Sequence, residues 1–238
     1  MSVKEKMTAI ANAIRRKLDD LGPLSLDAMA WEIGRLAEPE AYWASIFNNT
    51  FEGNLVNHKV KGSLPSNFQK GNTKLTGIDF PLITSAGSVV CSGCSNLSSV
   101  KMRGVVTLNS ETFQNCRPLE KIYFPSLTNI DGWGWTFAGC TNLEKAYFPK
   151  LTSIVGGNCF NGDSKLNTFI LGASSVCSLS TATIFPDTPI AKGTGYIYVP
   201  LSLIDQYKTA TNWSTFASQF RAIEDYPTVT EGWEDYFD

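Results

Sequence analysis

The residues of this chain best suited to chemistry are six cysteines, one histidine and two repeated glutamates. Cys91 and Cys94 form a C-x-x-C, and Cys116, Cys140, Cys159 and Cys177 follow. A C-x-x-C is the spacing of a metal or redox site. No second such pair and no paired histidine completes a zinc set, because His58 is the only histidine in the chain. Cys94, Cys116 and Cys140 recur at one place in a repeating phrase. Cys91 falls where other copies carry Phe113, Phe137 and Phe160. The expected role of the thiols is therefore packing, as reduced, buried small hydrophobes.

A Ser-His or Cys-His nucleophile needs His58, and no nucleophile signature lies near it. Paired carboxylates can hydrolyse glycosides. Glu120 and Glu144, however, recur because the phrase recurs, and beside Lys121 and Lys145 they read as solvated neighbours. No catalytic residue, metal ligand or cofactor is assigned, and the chain is not expected to be an enzyme.

The elements that position these residues follow from the phrase itself, which returns every 22 to 24 residues. Its clearest copies are Arg117 to Cys140 (RPLEKIYFPSLTNIDGWGWTFAGC) and Thr141 to Asp163 (TNLEKAYFPKLTSIVGGNCFNGD). A period of this length signals a solenoid, whose units bury their apolar faces only against neighbours. Anchor leucines fall at Leu75, Leu97, Leu119, Leu143 and Leu166. After each, apolar residues alternate: Ile78/Phe80, Val100/Met102, Ile122/Phe124, Ala146/Phe148 and Phe169/Leu171. Period-two alternation predicts one short strand per repeat with these side chains inward. Leu127, Ile130, Phe137, Leu151, Ile154 and Phe160 are expected inward as well. Pro81, Pro125 and Pro149 should end each strand, since proline cannot extend a ladder.

Four segments result. Residues 1–40 read as two helices, with Met7, Ile10, Ile14 and Leu18 at helical spacing and a break at Gly22-Pro23. Such short helices must pack on something, either the solenoid end or a second copy. Residues 41–72 are the least legible and suggest a linker with a degenerate capping repeat ending near Asn72. Residues 73–200 are the array, which weakens into a Ser/Thr-rich stretch after Gly172 and recovers in a strand at Gly195 to Val199. Residues 201–238 are expected to form a helical cap that hides the last strand edge.

Composition narrows the function. The chain has 238 residues, is 43% hydrophobic and 18% charged, and carries a formal net charge of −2. A nucleic-acid partner therefore gains no overall electrostatic support. No apolar run approaches the roughly 20 residues of a spanning helix, so no membrane insertion is expected. The N-terminal stretch is charged and amphipathic, unlike a secretory signal.

The phrase L-x-x-I-x-F-P-x-L-T-x-I-…-F-x-x-C resembles the BspA-like, or Treponema pallidum-type, leucine-rich repeat over roughly residues 73–200. Asn96-Leu97 after Cys94 and Asn142-Leu143 after Cys140 repeat that family's C-x-N-L joint. Cys91 for Phe and Asp163 for Cys depart from it. The resemblance implies an α/β solenoid, a right-handed leucine-rich-repeat superhelix with an N-terminal helical hairpin and a C-terminal helical cap. It also implies adhesion and recognition of protein or glycan. The segment MTAIANAIRRKLDDLGPLSLDAMAWEI is similar to a module of phage and prophage tail proteins. That likeness suggests a virion tail protein, made in the bacterial cytoplasm, that binds a host surface protein or glycan. Its N-terminal helices would contact other tail proteins or self-associate. A bacterial cell-surface adhesin is the alternative, and a glycan-active enzyme a remote one.

In such a solenoid, side chains alternating with the core ones form the concave binding face. One outward row reads Asp79, Lys101, Tyr123, Tyr147, Ile170 and Tyr198, and a second reads Gly77, Ser99, Lys121, Lys145, Thr168 and Tyr196. Candidate binding residues are Lys101, Lys121, Tyr123, Lys145, Tyr147, Tyr196 and Tyr198, since aromatic rings with polar tips suit interfaces. The same rows could instead serve the sheet alone. Trp133 and Trp135, in the lengthened DGWGWTF loop, are the second candidate, with at least one expected to be exposed.

Overall fold

The computed structural model describes residues 48–237. The expected N-terminal helices within residues 1–40 lie outside the described residues. So do residues 41–47 of the linker.

The described chain is a parallel β-solenoid. Its first face carries β1 (Gly53–Val56), β3 (Leu75–Asp79), β5 (Ser99–Lys101), β7 (Lys121–Tyr123), β9 (Lys145–Phe148), β11 (Thr168–Leu171), β13 (Tyr196–Val199) and β14 (Phe220–Ala222). Its second face carries β2 (Gly62–Leu64), β4 (Ile83–Ala86), β6 (Thr107–Leu108), β8 (Asn129–Ile130), β10 (Ser153–Ile154) and β12 (Ser178–Leu179). The second face is one unbroken six-stranded sheet. The first is divided into β1-β3-β5 and β7-β9-β11-β13-β14.

The expectation of one strand per repeat is corrected: each turn contributes two. The second strand was hidden because L-T-x-I buries positions i and i+3, a spacing that does not alternate. Only its last two residues pair, as in Asn129↔Ser153 and Ile130↔Ile154. The Thr of this phrase adds a side-chain rung. Thr152 Oγ1 donates to the Thr128 carbonyl at 3.1 Å, and Thr128 Oγ1 to the Val106 carbonyl at 3.3 Å.

Every residue expected inward is buried, including the five anchor leucines. Two phenylalanine stacks run along the axis. Phe113, Phe137, Phe160 and Phe185 follow one another at centroid spacings of 5.6, 5.4 and 5.5 Å. Phe124, Phe148 and Phe169 interleave with them at 6.2 and 5.5 Å. Such pairs add about 0.5–1.5 kcal/mol beyond their burial. The Ser/Thr-rich stretch therefore does not interrupt the array, since Phe185 continues the stack and β12 continues the sheet.

The degenerate repeat expected to end near Asn72 is present. β1 and β2 make a full turn, paired with β3 and β4. At its end Asn72 takes the cysteine's place, donating from Nδ2 to the Phe51 carbonyl at 2.7 Å.

The C-terminal segment is only partly helical. It holds one short helix, α1 (Ile204–Thr209), and several 3-10 turns. Tyr207, Trp213, Phe216 and Phe220 plug the last turn. The Tyr207 hydroxyl accepts the Cys177 N–H at 2.9 Å, and Trp213 Nε1 donates to the Cys177 carbonyl at 2.6 Å. The strand edge is extended rather than hidden: β14 pairs with β13 through Ile197↔Phe220 and Val199↔Ala222.

Candidate recognition surfaces

All six thiols are free and buried. They form a ladder of their own. Cys94 donates to the Gln69 carbonyl at 2.9 Å, Cys116 to the Cys91 carbonyl at 3.1 Å and Cys140 to the Phe113 carbonyl at 3.2 Å. Each acceptor lies three residues before the cysteine place of the preceding repeat. The Cys91 thiol is pushed well up by its hydrogen bond to Cys94 and by burial. Burial alone pushes Cys177 up to about 12, and Cys159 reaches about 11. Cys94 is shifted the other way, lowered by its hydrogen bond with Cys91 against the opposing effect of burial; the raised thiols are poor nucleophiles at neutral pH. Among the described residues, no group of three or more His, Cys, Asp or Glu side chains converges as a metal site.

His58 lies on the surface, its Nε2 2.9 Å from Asp79 Oδ2. Asp163 replaces the cysteine of its repeat. Its Oδ1 accepts the Cys140 N–H at 2.8 Å, while Oδ2 has no partner. Burial drives its pKa well above the usual carboxylate range.

The strand register aligns the outward rows as the repeat dictates. Tyr123 pairs with Tyr147, Tyr147 with Ile170, and Ile170 with Tyr198. Lys121 pairs with Lys145, and Thr168 lies between Lys145 and Tyr196. Asp79 pairs with Lys101 on the other part of the face. The Tyr123 and Tyr147 rings stack at 5.2 Å and 15°.

This face is not an open platform. Ile170, placed outward by register, is fully buried. Residues 226–237 run back across the strands. Tyr226 meets Tyr198 at 5.7 Å near β13. Trp233 lies 5.5 Å from Tyr123 and 5.7 Å from Tyr147. Tyr236 and Phe237 contact Tyr123 at 5.9 and 5.6 Å. Lys121 and Arg103 contribute cations, Lys121 Nζ 5.8 Å from the Trp233 ring and Arg103 Cζ 4.6 Å from the Phe237 ring. Sequence reasoning missed this strap because its W-x-x-Y-F spacing belongs to no repeat. Tyr196 stays exposed, with Arg221 Cζ 4.3 Å over its ring.

The tryptophan loop behaves differently. It follows β8, on the second-face side of the solenoid. Trp133 is 90% exposed and Trp135 38% exposed. The backbone beneath them is fixed. The Trp133 N–H donates to Ser110 Oγ at 2.7 Å, and Gly134 bridges to Gly157 in the next repeat. Gly132 and Gly134 take φ of +94° and +105°. A Cβ on Gly134 would overlap the Gly157 carbonyl oxygen, so only glycine permits this approach. Trp135 occupies the left-handed region at φ 61°, as Glu111 and Asn158 do at the equivalent turn. Its N–H donates to the Gly157 carbonyl at 3.2 Å. The result is an indole held out into water on a hydrogen-bonded backbone.

The repeat phrase, the buried leucine and phenylalanine stacks and the cysteine ladder specify one repeat type. The description BspA type leucine-rich repeat region matches residues 63–186, in six copies. The chain belongs to the BspA-type leucine-rich-repeat family. No curated protein matches it. BspA-type membership suggests a surface or adhesion-type role in protein interaction. The six copies begin and end inside the observed turns: residue 63 lies in β2, and residue 186 follows Phe185 of the stack. Among the described residues, no helix is long and apolar enough to cross a membrane.

Proposed function

We propose that this BspA-type protein is a non-catalytic recognition protein that contacts a host surface protein or glycan through the Trp133 loop. The observation that carries this reading is Trp133, 90% exposed on a loop whose Gly134 packs against the Gly157 carbonyl too closely for any side chain. Exposed large aromatics on rigid backbones are characteristic of binding hot spots, because little entropy is lost when they are covered. A large aromatic side chain buries roughly 150–250 Å². At about 25 cal/mol per Å² its burial against a partner yields on the order of 5 kcal/mol before association costs. An indole face suits a sugar ring as well as a peptide.

In the finer reading, residues 1–40 attach the solenoid to a phage or prophage tail and the repeats face the host. It rests on the AIANAIRRK segment of the sequence. A bacterial cell-surface adhesin fits the family equally. The two are separated by labelling purified virions with an antibody to the chain, since only the tail protein is found on the particle. Recognition itself is tested on arrays of surface glycans and surface proteins. Trp133→Ala should lose binding while keeping the wild-type melting temperature; equal binding by a folded Trp133→Ala removes the loop from the site.

A further inference from the structure

Along the first face, successive repeats pair strand to strand except at one place. Among the described residues, no ladder joins β5 to β7. On the opposite face β6 and β8 remain paired through Thr107↔Asn129 and Leu108↔Ile130. The gap is therefore confined to one face of a continuous solenoid. Pro118 accounts for one lost rung. One repeat later, Asn142 donates its N–H to the Arg117 carbonyl at 3.3 Å. Pro118 stands in the equivalent position and has no N–H to give.

Unpaired strand groups need partners and form a template for other chains. Here the Tyr236 hydroxyl enters the gap. It donates to the Val100 carbonyl of β5 at 2.9 Å and reaches the Lys121 carbonyl of β7 at 3.3 Å. The Tyr123 backbone is also hydrogen-bonded to it. The hydroxyl thus bridges the two halves of the face.

The strap is held to the sheet by side chains. Its backbone bonds are local: Glu231 N–H to the Thr228 carbonyl at 3.3 Å and Tyr236 N–H to the Trp233 carbonyl at 3.2 Å. Four rings, Tyr226, Trp233, Tyr236 and Phe237, and one hydroxyl attach it to the sheet, rather than a ladder. Charge supports the same match. The sequence EGWEDYFD carries four carboxyl residues beside its aromatic ones. The rim opposite is basic, with Lys101, Arg103, Lys121 and Lys145.

We propose that the β5–β7 gap is a peptide-binding site and that residues 231–237 are its built-in occupant. Its ligand is a partner-protein segment of the same chemistry: an aromatic, two residues, then Tyr and a second aromatic, flanked by carboxylates. The partner displaces the strap. Because the strap is tethered, it competes at an effective concentration in the millimolar range. The site therefore opens only to a multivalent or abundant partner, or when the strap is removed. It lies away from the Trp133 loop, so its failure would leave that reading standing.

The test uses the full chain and a fluorescein-labelled peptide of sequence EGWEDYFD. The variant Trp233→Ala/Tyr236→Ala/Phe237→Ala frees the gap. It should bind the peptide at least tenfold more tightly than the wild type does, by fluorescence anisotropy. The same peptide with Phe in place of its Tyr should bind about fivefold more weakly, the worth of one neutral hydrogen bond. Circular dichroism checks the fold of the variant. If the triple variant does not fold, the full chain carrying Tyr236→Phe alone should still bind the peptide severalfold more tightly than wild type. A folded variant that binds no better than wild type overturns the proposal, as does a peptide indifferent to loss of its tyrosine hydroxyl.

Discussion

The Tyr236 hydroxyl donates to the Val100 carbonyl at 2.9 Å, joining residues 136 positions apart in the chain. With the Lys121 carbonyl at 3.3 Å, it ties the C-terminal strap to both β5 and β7. Burial pushes its pKa above the ordinary value of 10.0, while backbone hydrogen bonds pull the other way. A raised acid pKa means that the docked state holds its proton more tightly than the released state. Docking is therefore at full strength below pH 10 and weakens as pH rises beyond it. The ultraviolet tyrosinate titration of wild type minus Tyr236→Phe should show one tyrosine ionising above the ordinary value. A difference curve centred at the ordinary value would mean that the hydroxyl is not buried in the gap.

Asp163 stands in the cysteine ladder with one unpartnered buried oxygen. Its folded pKa lies well above the unfolded value of 3.8. The protonated form is thus favoured in the fold, and stability declines as pH climbs from about 4 through the folded pKa. Asp163→Cys restores the family residue. The Cys140 N–H keeps the Phe137 carbonyl at 3.2 Å as an acceptor. The substitution should stabilise the protein by about 1–3 kcal/mol at neutral pH, the cost of an unsatisfied buried group. The gain should shrink towards zero as pH falls to 4. Urea melts at two pH values check this, and a gain independent of pH would contradict it.

Burial should shield the thiols in the folded state. All six are buried, and burial pushes Cys159 up to about 11 and Cys177 up to about 12, while Cys94 alone is lowered, by its hydrogen bond with Cys91. Ellman's reagent at neutral pH should label none of them until denaturant is added. Rapid labelling of Cys91 or Cys94 would reopen the redox reading of the C-x-x-C.

Leu143 is a fully buried anchor between neighbouring turns. Leu143→Ala should cost about 2–5 kcal/mol, as a large-to-small change in a packed core. Chemical denaturation measures it. A cost below about 1 kcal/mol would contradict the inward register.

Much of this architecture is legible in the sequence because one physical rule is applied repeatedly. Ile122, Phe124 and Leu127 bury for the same reason as Ala146, Phe148 and Leu151, so each copy corroborates the others. The second strand was not legible, because the two residues of Asn129–Ile130 are too few to alternate. The first turn was obscured by Gln69 and Asn72, polar residues standing where later turns carry Cys or Phe. The candidate site was half legible. Tyr123 and Tyr147 do share a row, yet nothing in the repeat announces that Trp233 and Tyr236 fold back on them. Trp133 was recognisable from its flanking glycines, since a lengthened loop on a fixed scaffold must project.

Recognition through the projecting indole is tested most directly by titrating one array-identified glycan or protein against wild type, Trp133→Ala and Gly134→Ala. Trp133→Ala should lose about 30-fold or more in affinity, the scale of a hot-spot residue. Gly134→Ala should lose affinity as well, although it keeps the tryptophan, because the frame that aims it is disturbed. Wild-type affinity in a folded Trp133→Ala protein would contradict the account.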